Sequence, residues 1–474
     1  MAGNNFMEII GRIQERAILD RLCSEKKSHF TAIYGRRRIG KTYLIRKHFG
    51  EFSFYHTGIM NVGIKDQLNA FDKSLSEYSN KEILKSKDWF EAFDNLKLII
   101  KQSRKNKKVI FIDEMPWLDT PKSKFISALE YFWNGWASAR TDILLIICGS
   151  ATSWIVKKIF NNKGGLHNRV TQKIKLKPFT LSETETFLKK KSIDWNRYQI
   201  AKAYMCFGGI PYYLDAIEKG KSIDQNIDNL FFNSNGLLFN EYENLFQSLF
   251  INADKHIEIV KILAQKNKGL TRESIVNLSS SSSGGTVSKI LEELELSDFI
   301  RSYSSFGKEK RERLYQLTDA YTLFYHNFLD TKKIAPNYWI NAIDTPRVRS
   351  WSGYAFEMVC LMHTNEIKKA LQISGIHSEE SSWIGTNQNK GAQIDLIFDR
   401  RDQVISLFEI KFSSELFSIS KKYSQELLEK MAVFRAQTKT KKAIFLSMIS
   451  TYGILDNQYK AMVQNELTIN DLFN

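Results

Sequence analysis

The sequence is poor in cysteine and has no long apolar run. Its four cysteines, Cys23, Cys148, Cys206 and Cys360, lie far apart, with no CxxC pair and no Cys/His cluster. That excludes a zinc site of the usual spacing and a disulfide framework, and reduced cytosolic thiols are the simplest account. The most apolar strand-like stretch, ILLIICG at 143 to 149, is far too short to span a bilayer. The opening MAGNNFMEIIGRIQER has no apolar signal core. The expectation is a cytoplasmic protein without a membrane partner. No internal repeat and no helicase-like motif is present, and the serine run at 279 to 283 is the sole low-complexity bias.

What is there is ordinary globular composition, 43% hydrophobic and 25% charged, which excludes disorder of the whole chain. A length of 474 residues implies about three domains. Lysine and arginine number 68 against 52 acids, a formal charge of +16. Such a balance fits a polyanionic partner, nucleic acid first, and equally a generally lysine-rich composition.

The phosphate chemistry is local. Thr31 to Tyr34 reads as a short apolar strand, followed by Gly35, four residues, Gly40, Lys41 and Thr42, and then by helical spacing at Leu44, Ile45 and Phe49. Strand, glycine loop and helix in that order form a P-loop. The glycines let backbone N–H groups face phosphates, and the helix points its positive end at them. Lys41 is expected on the β/γ-phosphates and Thr42 on Mg²⁺. Arg38 and Tyr43 are counted among the nucleotide contacts. Arg36, Arg37 and Arg38 are expected to project toward a partner or into solvent.

KKVIFIDEMPWLD at 107 to 119 supplies the second half. Val109 to Ile112 reads as a buried strand ending in Asp113, which completes the Mg²⁺ shell, and Glu114, which orients or deprotonates a water. A third strand, Ile143 to Cys148, ends at Gly149 and Ser150, where a hydroxyl can sense the γ-phosphate or simply close a turn. Arg169 is a candidate arginine finger.

GRIQERAIL, YGRRRIGKT, VIFIDE, ICGS and GGIPYYL occur in this order. The set resembles the archaeal-type ATPases of the AAA/STAND group. The resemblance implies an α/β P-loop core over 1 to 180 and a helical lid over 181 to 245. It places Gly11, Arg12 and Glu15 near the nucleotide, and Gly209, Ile210 and Pro211 in the lid, touching it.

The middle of the chain reads differently. Ile257, Val260, Ile262 and Leu263 show helical spacing, Thr271 caps a second helix, and Ile290, Leu291, Leu294 and Leu296 form the buried side of a third. Residues 300 to 319 then read as two strands around a basic turn. This is winged-helix order, assigned to 250 to 330. Such a module lays its third helix in the major groove. Thr286, Ser288 and Lys289 begin that helix, and Lys308, Lys310, Arg311 and Arg313 sit on the wing. A winged helix used only for packing has the same pattern.

After a linker containing Pro336 and Pro346, residues 345 to 474 read as αβββαβ, the restriction-endonuclease-like order. In GAQIDLIFDRRDQVISLFEIKFSS, Glu409 and Lys411 share one face of a strand, and the preceding hairpin can return Asp395 beside Glu409. Two carboxylates would hold Mg²⁺ while Lys411 orients a water. The pattern resembles the D…ExK of PD-(D/E)XK nucleases, with Glu357 as the extra acid on the first helix and Gln393-Ile394 where the eponymous proline would precede Asp395. An exposed Glu409–Lys411 ion pair, or the same fold without activity, satisfies the pattern too.

The fold class expected is therefore α/β: an AAA-type P-loop NTPase core with a helical lid, a winged helix and a nuclease-like α/β domain. The function expected is an ATP-binding, ATP-hydrolysing protein acting on DNA, with a C-terminal Mg²⁺-dependent nuclease. A STAND-like regulatory nucleotide switch with an inactive nuclease fold is the alternative. The expected partners are ATP or ADP, double-stranded DNA and further copies of the chain in a homo-oligomer.

Overall fold

Three apolar runs become adjacent parallel strands. In the computed structural model, which describes residues 9–79, 85–250, 252–280, 283–307, 313–330, 337–387 and 390–474, β1 is His29–Tyr34, β2 Phe54–Thr57, β3 Lys108–Asp113, β4 Ile143–Gly149 and β5 Gln172–Lys175. Their order in the sheet is β2-β3-β4-β1-β5, and each neighbouring pair is parallel. Every residue of β3 and β4 is buried. Strands covered on both faces carry unbroken apolar sequence, which is why these two were legible as runs.

Between the P-loop helix, Lys41–Phe49, and β3 come β2 and two helices, Ile64–Ser79 and Trp89–Gln102. The second begins where Asp88 accepts from the N–H groups of Phe90 and Glu91. It buries Trp89, Phe93, Leu96 and Ile100, and the rings of Trp89 and Phe125 meet edge to face at 4.9 Å. Each fully buried side chain of this kind contributes about 2 kcal/mol. The chain separates after Pro178 into two compact units.

From Phe179 on, helices Leu181–Lys190, Arg197–Phe207 and Pro211–Asp215 lead into a three-helix segment, Ala253–Ala264, Arg272–Leu278 and Gly284–Leu296. With it goes a small sheet of β6 Leu270–Thr271, β7 Ile300–Tyr303 and β8 Leu314–Leu317, ordered β6-β8-β7. Thr271 caps its helix by accepting from Ser274 N–H. The buried side of the third helix is Val287, Ile290, Leu291 and Leu294. Leu296, the last residue of the helix, is only partly buried.

The C-terminal sheet holds β9 Ser378–Asn387, β10 Lys390–Arg400, β11 Val404–Lys411, β12 Ala443–Ser450 and β13 Asn465–Thr468, in the order β13-β12-β11-β10-β9. Strands β9 to β11 are antiparallel neighbours, while β11, β12 and β13 run parallel. The parallel step from β11 to β12 needs a crossover, and helix Lys421–Thr438 supplies it. One expectation is corrected. Pro346 does not lie in a linker: it opens helix Pro346–Met362, capped by Thr345, because proline's fixed φ and missing N–H suit a first turn. Pro336 lies outside the described residues.

That helix is anchored by His363. Its Nδ1 donates to Val359 O at 2.8 Å, and its Nε2 accepts from Leu181 N–H at 3.0 Å. Both bonds require the neutral Nδ1–H tautomer, and burial lowers the pKa of the ring accordingly.

His56 on β2 is the corresponding buried imidazole of the first unit. Ser74 Oγ lies 3.0 Å from its Nδ1, and burial pushes its pKa down to about 4. The unfolded chain binds the proton from about pH 6.5 downward and the folded chain resists it until about pH 4. Stability is thus full above pH 6.5 and falls below it, by about 2–3 kcal/mol at pH 4.5. His56→Gln should narrow the gap in Tm between pH 7 and pH 4.5. An unchanged gap, read by thermal scans at both pH values, would discard this account.

Candidate functional site

The parallel register brings three strand ends to one edge. Tyr34 pairs with Gly149, and Ile112 with Ile147. The residues that follow, Gly35, Asp113 with Glu114, and Ser150, therefore emerge together, beyond the carboxyl ends of the strands, where open α/β sheets bind ligands.

The loop from Gly35 to Gly40 turns on left-handed backbone at Gly35 (φ 135°), Arg38 (φ 70°) and Gly40 (φ 87°). At Gly35 a Cβ would stand 2.3 Å from Leu176 O, so no other residue fits. Lys41 is buried, and its Nζ donates to Gly35 O at 2.9 Å and Arg36 O at 2.8 Å. Burial lowers its pKa, and the carboxylates of Glu114 and Asp113 oppose that. Thr42 Oγ1 donates to Asp113 Oδ2 at 2.6 Å. Burial raises Asp113, while the Thr42 hydroxyl and the Cys148 thiol work against the rise.

Glu114 sits in left-handed backbone, φ 43° and ψ 42°, a strained setting for a non-glycine residue. Gly58 makes room for it: a Cβ there would come within 2.5 Å of Glu114 O. Ser150 holds the carboxylate, with Oγ donating to Oε1 at 2.6 Å and N–H to Oε2 at 3.3 Å. Arg12, also left-handed and buried, donates to Ile39 O at 3.3 Å and so braces the loop from outside. Tyr43 is exposed at the start of the helix. Pro211 belongs to the second unit, where it is the first residue of helix Pro211–Asp215.

Arg36 departs from expectation. Only 2% of it is exposed, so it is an interior residue rather than an outward one. Side-chain direction in an irregular loop is not encoded by residue spacing. Arg169 is exposed and donates to Gly165 O at 3.4 Å. Cys148 was read only as a strand residue. Its position one residue before the end of β4, beside β3, was the available signal.

The second cluster is C-terminal. Leu396 pairs with Phe408; the next opposed positions along the same register are Asp395 and Glu409. Glu409 is 13% exposed and carries three partners: Lys411 Nζ at 2.9 Å, Lys430 Nζ at 2.7 Å and Tyr423 O–H at 2.6 Å. It is therefore not half of an exposed ion pair. Tyr423 and Lys430 lie seven residues apart on one face of helix Lys421–Thr438. Sequence reasoning missed both, although that helical spacing was visible.

Asp395 accepts from Gln393. Glu357 on helix Pro346–Met362 faces Asp395 and Glu409. Burial, then the charges of Asp395 and Glu409, push its pKa up to about 8. Burial and Glu409 also raise Asp395. Glu409 goes the other way: burial would raise it, but Lys411 and Lys430 hold it below the ordinary value. Among the described residues no group of three or more His, Cys, Asp or Glu is arranged to hold a metal ion. A donor set here is two carboxylates completed by water, which is how Mg²⁺ is commonly bound. Thr42 and Asp113 offer the same hard-oxygen chemistry at the loop.

Of the residues expected to meet DNA, Ser288 accepts from Arg272 at 2.5 Å at the start of helix Gly284–Leu296, near Thr286 and Lys289. Arg313 is exposed. Lys308, Lys310 and Arg311 lie outside the described residues. Among the described residues no helix is long and apolar enough to cross a membrane.

Residues 10–217 match the family model described as an ATPase domain predominantly from Archaea. An uncharacterized protein of Methanocaldococcus jannaschii is 24% identical over 427 residues, 89% of this chain and 91% of that protein. The Walker-type ATPase of Pyrococcus abyssi is similar in fold, with a TM-score of 0.50 at 15% identity, covering 67% of this chain and 96% of that one. The Aeropyrum pernix ORC2 protein, in ADPNP-ADP complexes, gives a TM-score of 0.45 at 15% identity, covering 68% and 95%. Residues 10–217 are thus similar to an archaeal-type ATPase domain, the first unit has a parallel-sheet P-loop core, and a separate mixed sheet follows it in the chain.

Gly35→Ala should destabilise that core by about 3 kcal/mol, since it combines a forbidden φ with a backbone clash. Thermal unfolding should show a loss of several degrees. A wild-type Tm would mean the loop can shift at no cost.

Proposed function

We propose that the chain is an ATP-hydrolysing protein that acts on DNA, with a metal-dependent phosphodiesterase site at its C-terminal end. The observation that carries the ATPase half is the 2.6 Å bond between Thr42 and Asp113, residues 71 apart in sequence. It joins the two halves of a phosphate site in one place. In this reading Lys41 leaves the carbonyls of Gly35 and Arg36 for the β- and γ-phosphates. Thr42 and Asp113 would hold Mg²⁺, and Glu114 orients the attacking water. The metal's part is to neutralise developing charge on the phosphoryl group. The segment 181 to 245 acts as lid, and 250 to 330 as a winged helix that docks duplex DNA through Thr286, Ser288 and Lys289.

At the C-terminal site, over 345 to 474, Asp395 and Glu409 would hold a second Mg²⁺. Lys411 then orients a water toward phosphorus. The raised pKa of Glu357 and Asp395 supports this reading, since crowded buried carboxylates favour an added cation.

One observation favours a regulatory switch instead. Both oxygens of Glu114 are taken by Ser150. A carboxylate so held does not polarise water, so hydrolysis waits on its release.

Three variants test these readings. Lys41→Ala should lower ATP turnover about a hundredfold or more; unchanged turnover would remove the loop from the chemistry. Ser150→Ala should raise basal turnover several-fold by freeing Glu114. A fall would instead make Ser150 a phosphate contact. Asp395→Ala should abolish Mn²⁺-dependent cutting of DNA, and cutting that survives it belongs to another site or a contaminant.

A further inference from the structure

Asp395 and Glu409 line a cavity of about 600 Å³, and part of its wall does not come from the C-terminal sheet. Lys268, Arg301, Tyr303 and Gln316 of the three-helix segment and its hairpin form that part. The two parts are fastened together. Phe306 N–H donates to Ser382 O on β9 at 2.7 Å, and Ser305 bridges to Ser382. The rings of Phe306 and Phe434 lie 5.1 Å apart. On the other flank, Tyr354 O–H donates to Asn267 O at 3.1 Å.

Arg301 is the notable member of the wall. Its Nε donates to Gln316 Oε1 at 2.8 Å, and the guanidinium lies 4.6 Å over the ring of Tyr303. Those contacts fix its plane. Among the described residues no carboxylate forms an ion pair with it. Lys411 and Lys430 are both committed to Glu409. Arg301 is thus a mostly buried, oriented cation in the lining of a cavity that Asp395 and Glu409 also line, near enough for the Asp395 charge to act on it. Among the described residues no hydrogen bond claims the outer N–H groups of this planar fork, which match two phosphate oxygens.

Size and lining restrict what enters. A space of about 600 Å³ suits a ligand of one or two nucleotide units. A duplex is read by elements that enter its ~12 Å major groove from outside, and the whole helix does not fit such a cavity. Tyr303 and Tyr354 add aromatic surface beside the cations, the pairing that binds single strands through backbone charge and base stacking.

We propose that this cavity receives a single-stranded nucleic-acid end, and that Arg301 binds the phosphate addressed by Asp395 and Glu409. The inference rests on reading the C-terminal site as a phosphodiesterase. The step is hydrolysis. A water oxygen bonds to phosphorus, one ester P–O bond breaks, one water proton passes to the departing oxygen, and the other stays with the new phosphate monoester or leaves to solvent.

The test uses the full chain and two fluorescent probes, a 20-nucleotide oligo-dT and a blunt hairpin duplex of equal length. Binding is followed by anisotropy in Ca²⁺, and cutting in Mn²⁺. Oligo-dT should bind at least tenfold tighter than the duplex. Arg301→Gln should weaken oligo-dT about tenfold while leaving the duplex unchanged, and Arg301→Lys should restore only part of the loss. If Arg301→Gln lowers Tm, the exposed Lys268→Gln should still weaken oligo-dT about threefold. Equal affinity for both probes, or single-strand binding indifferent to Arg301 and Lys268, overturns the inference. Failure of the site reading looks different: no cutting of either probe, with Arg301-dependent binding of oligo-dT intact.

Discussion

Everything at the nucleotide edge depends on where β4 lies. It sits between β1 and β3 in the sheet although it follows both in sequence. That insertion spaces the P-loop and the Asp113 strand so that Thr42 and Asp113 meet across the gap at 2.6 Å. Were β1 and β3 direct neighbours, no crevice would open between their ends, and Ser150 would not stand over Glu114. The parallel hydrogen-bond ladders and the buried apolar faces of β3 and β4 hold this order. The chemistry at the edge is a consequence of core packing several residues away.

Much of this was legible because it is local. The loop from Gly35 to Thr42 carries its own geometry in its glycines, and a strand ending in Asp113-Glu114 announces itself by hydrophobicity that stops at an acid. The αβββαβ order of the last 130 or so residues was readable from alternation and turn chemistry alone. The parts that were not legible depend on contacts between segments distant in sequence. The helical spacing puts Tyr423 and Lys430 on one face, but nothing near Glu409 says that this face meets it. Nothing in the basic hairpin says that Phe306 packs on Phe434. β13, a four-residue edge strand, has too little pattern to stand out. Arg36 shows a different limit: a charged residue in a loop predicts exposure, and the structure buries it.

The two clusters treat their carboxylates in contrasting ways. Glu114 is placed by strain, in backbone that its neighbours must enforce, and is then restrained by two hydrogen bonds from one serine. Glu409 sits in relaxed strand geometry and is held by charge, between two lysines and a phenol. The first arrangement is released by moving a strand end. The second is released by supplying a competing charge.

His363 has a mechanical meaning. It hangs helix Pro346–Met362, which bears Glu357, from the first residue of helix Leu181–Lys190 through a ring that accepts on one side and donates on the other. The ring acts as a rigid strut of fixed polarity. A proton added to Nε2 would turn that acceptor into a donor and break the link to the upstream helix. The acid cluster thus inherits its position from a segment some 180 residues earlier in the chain.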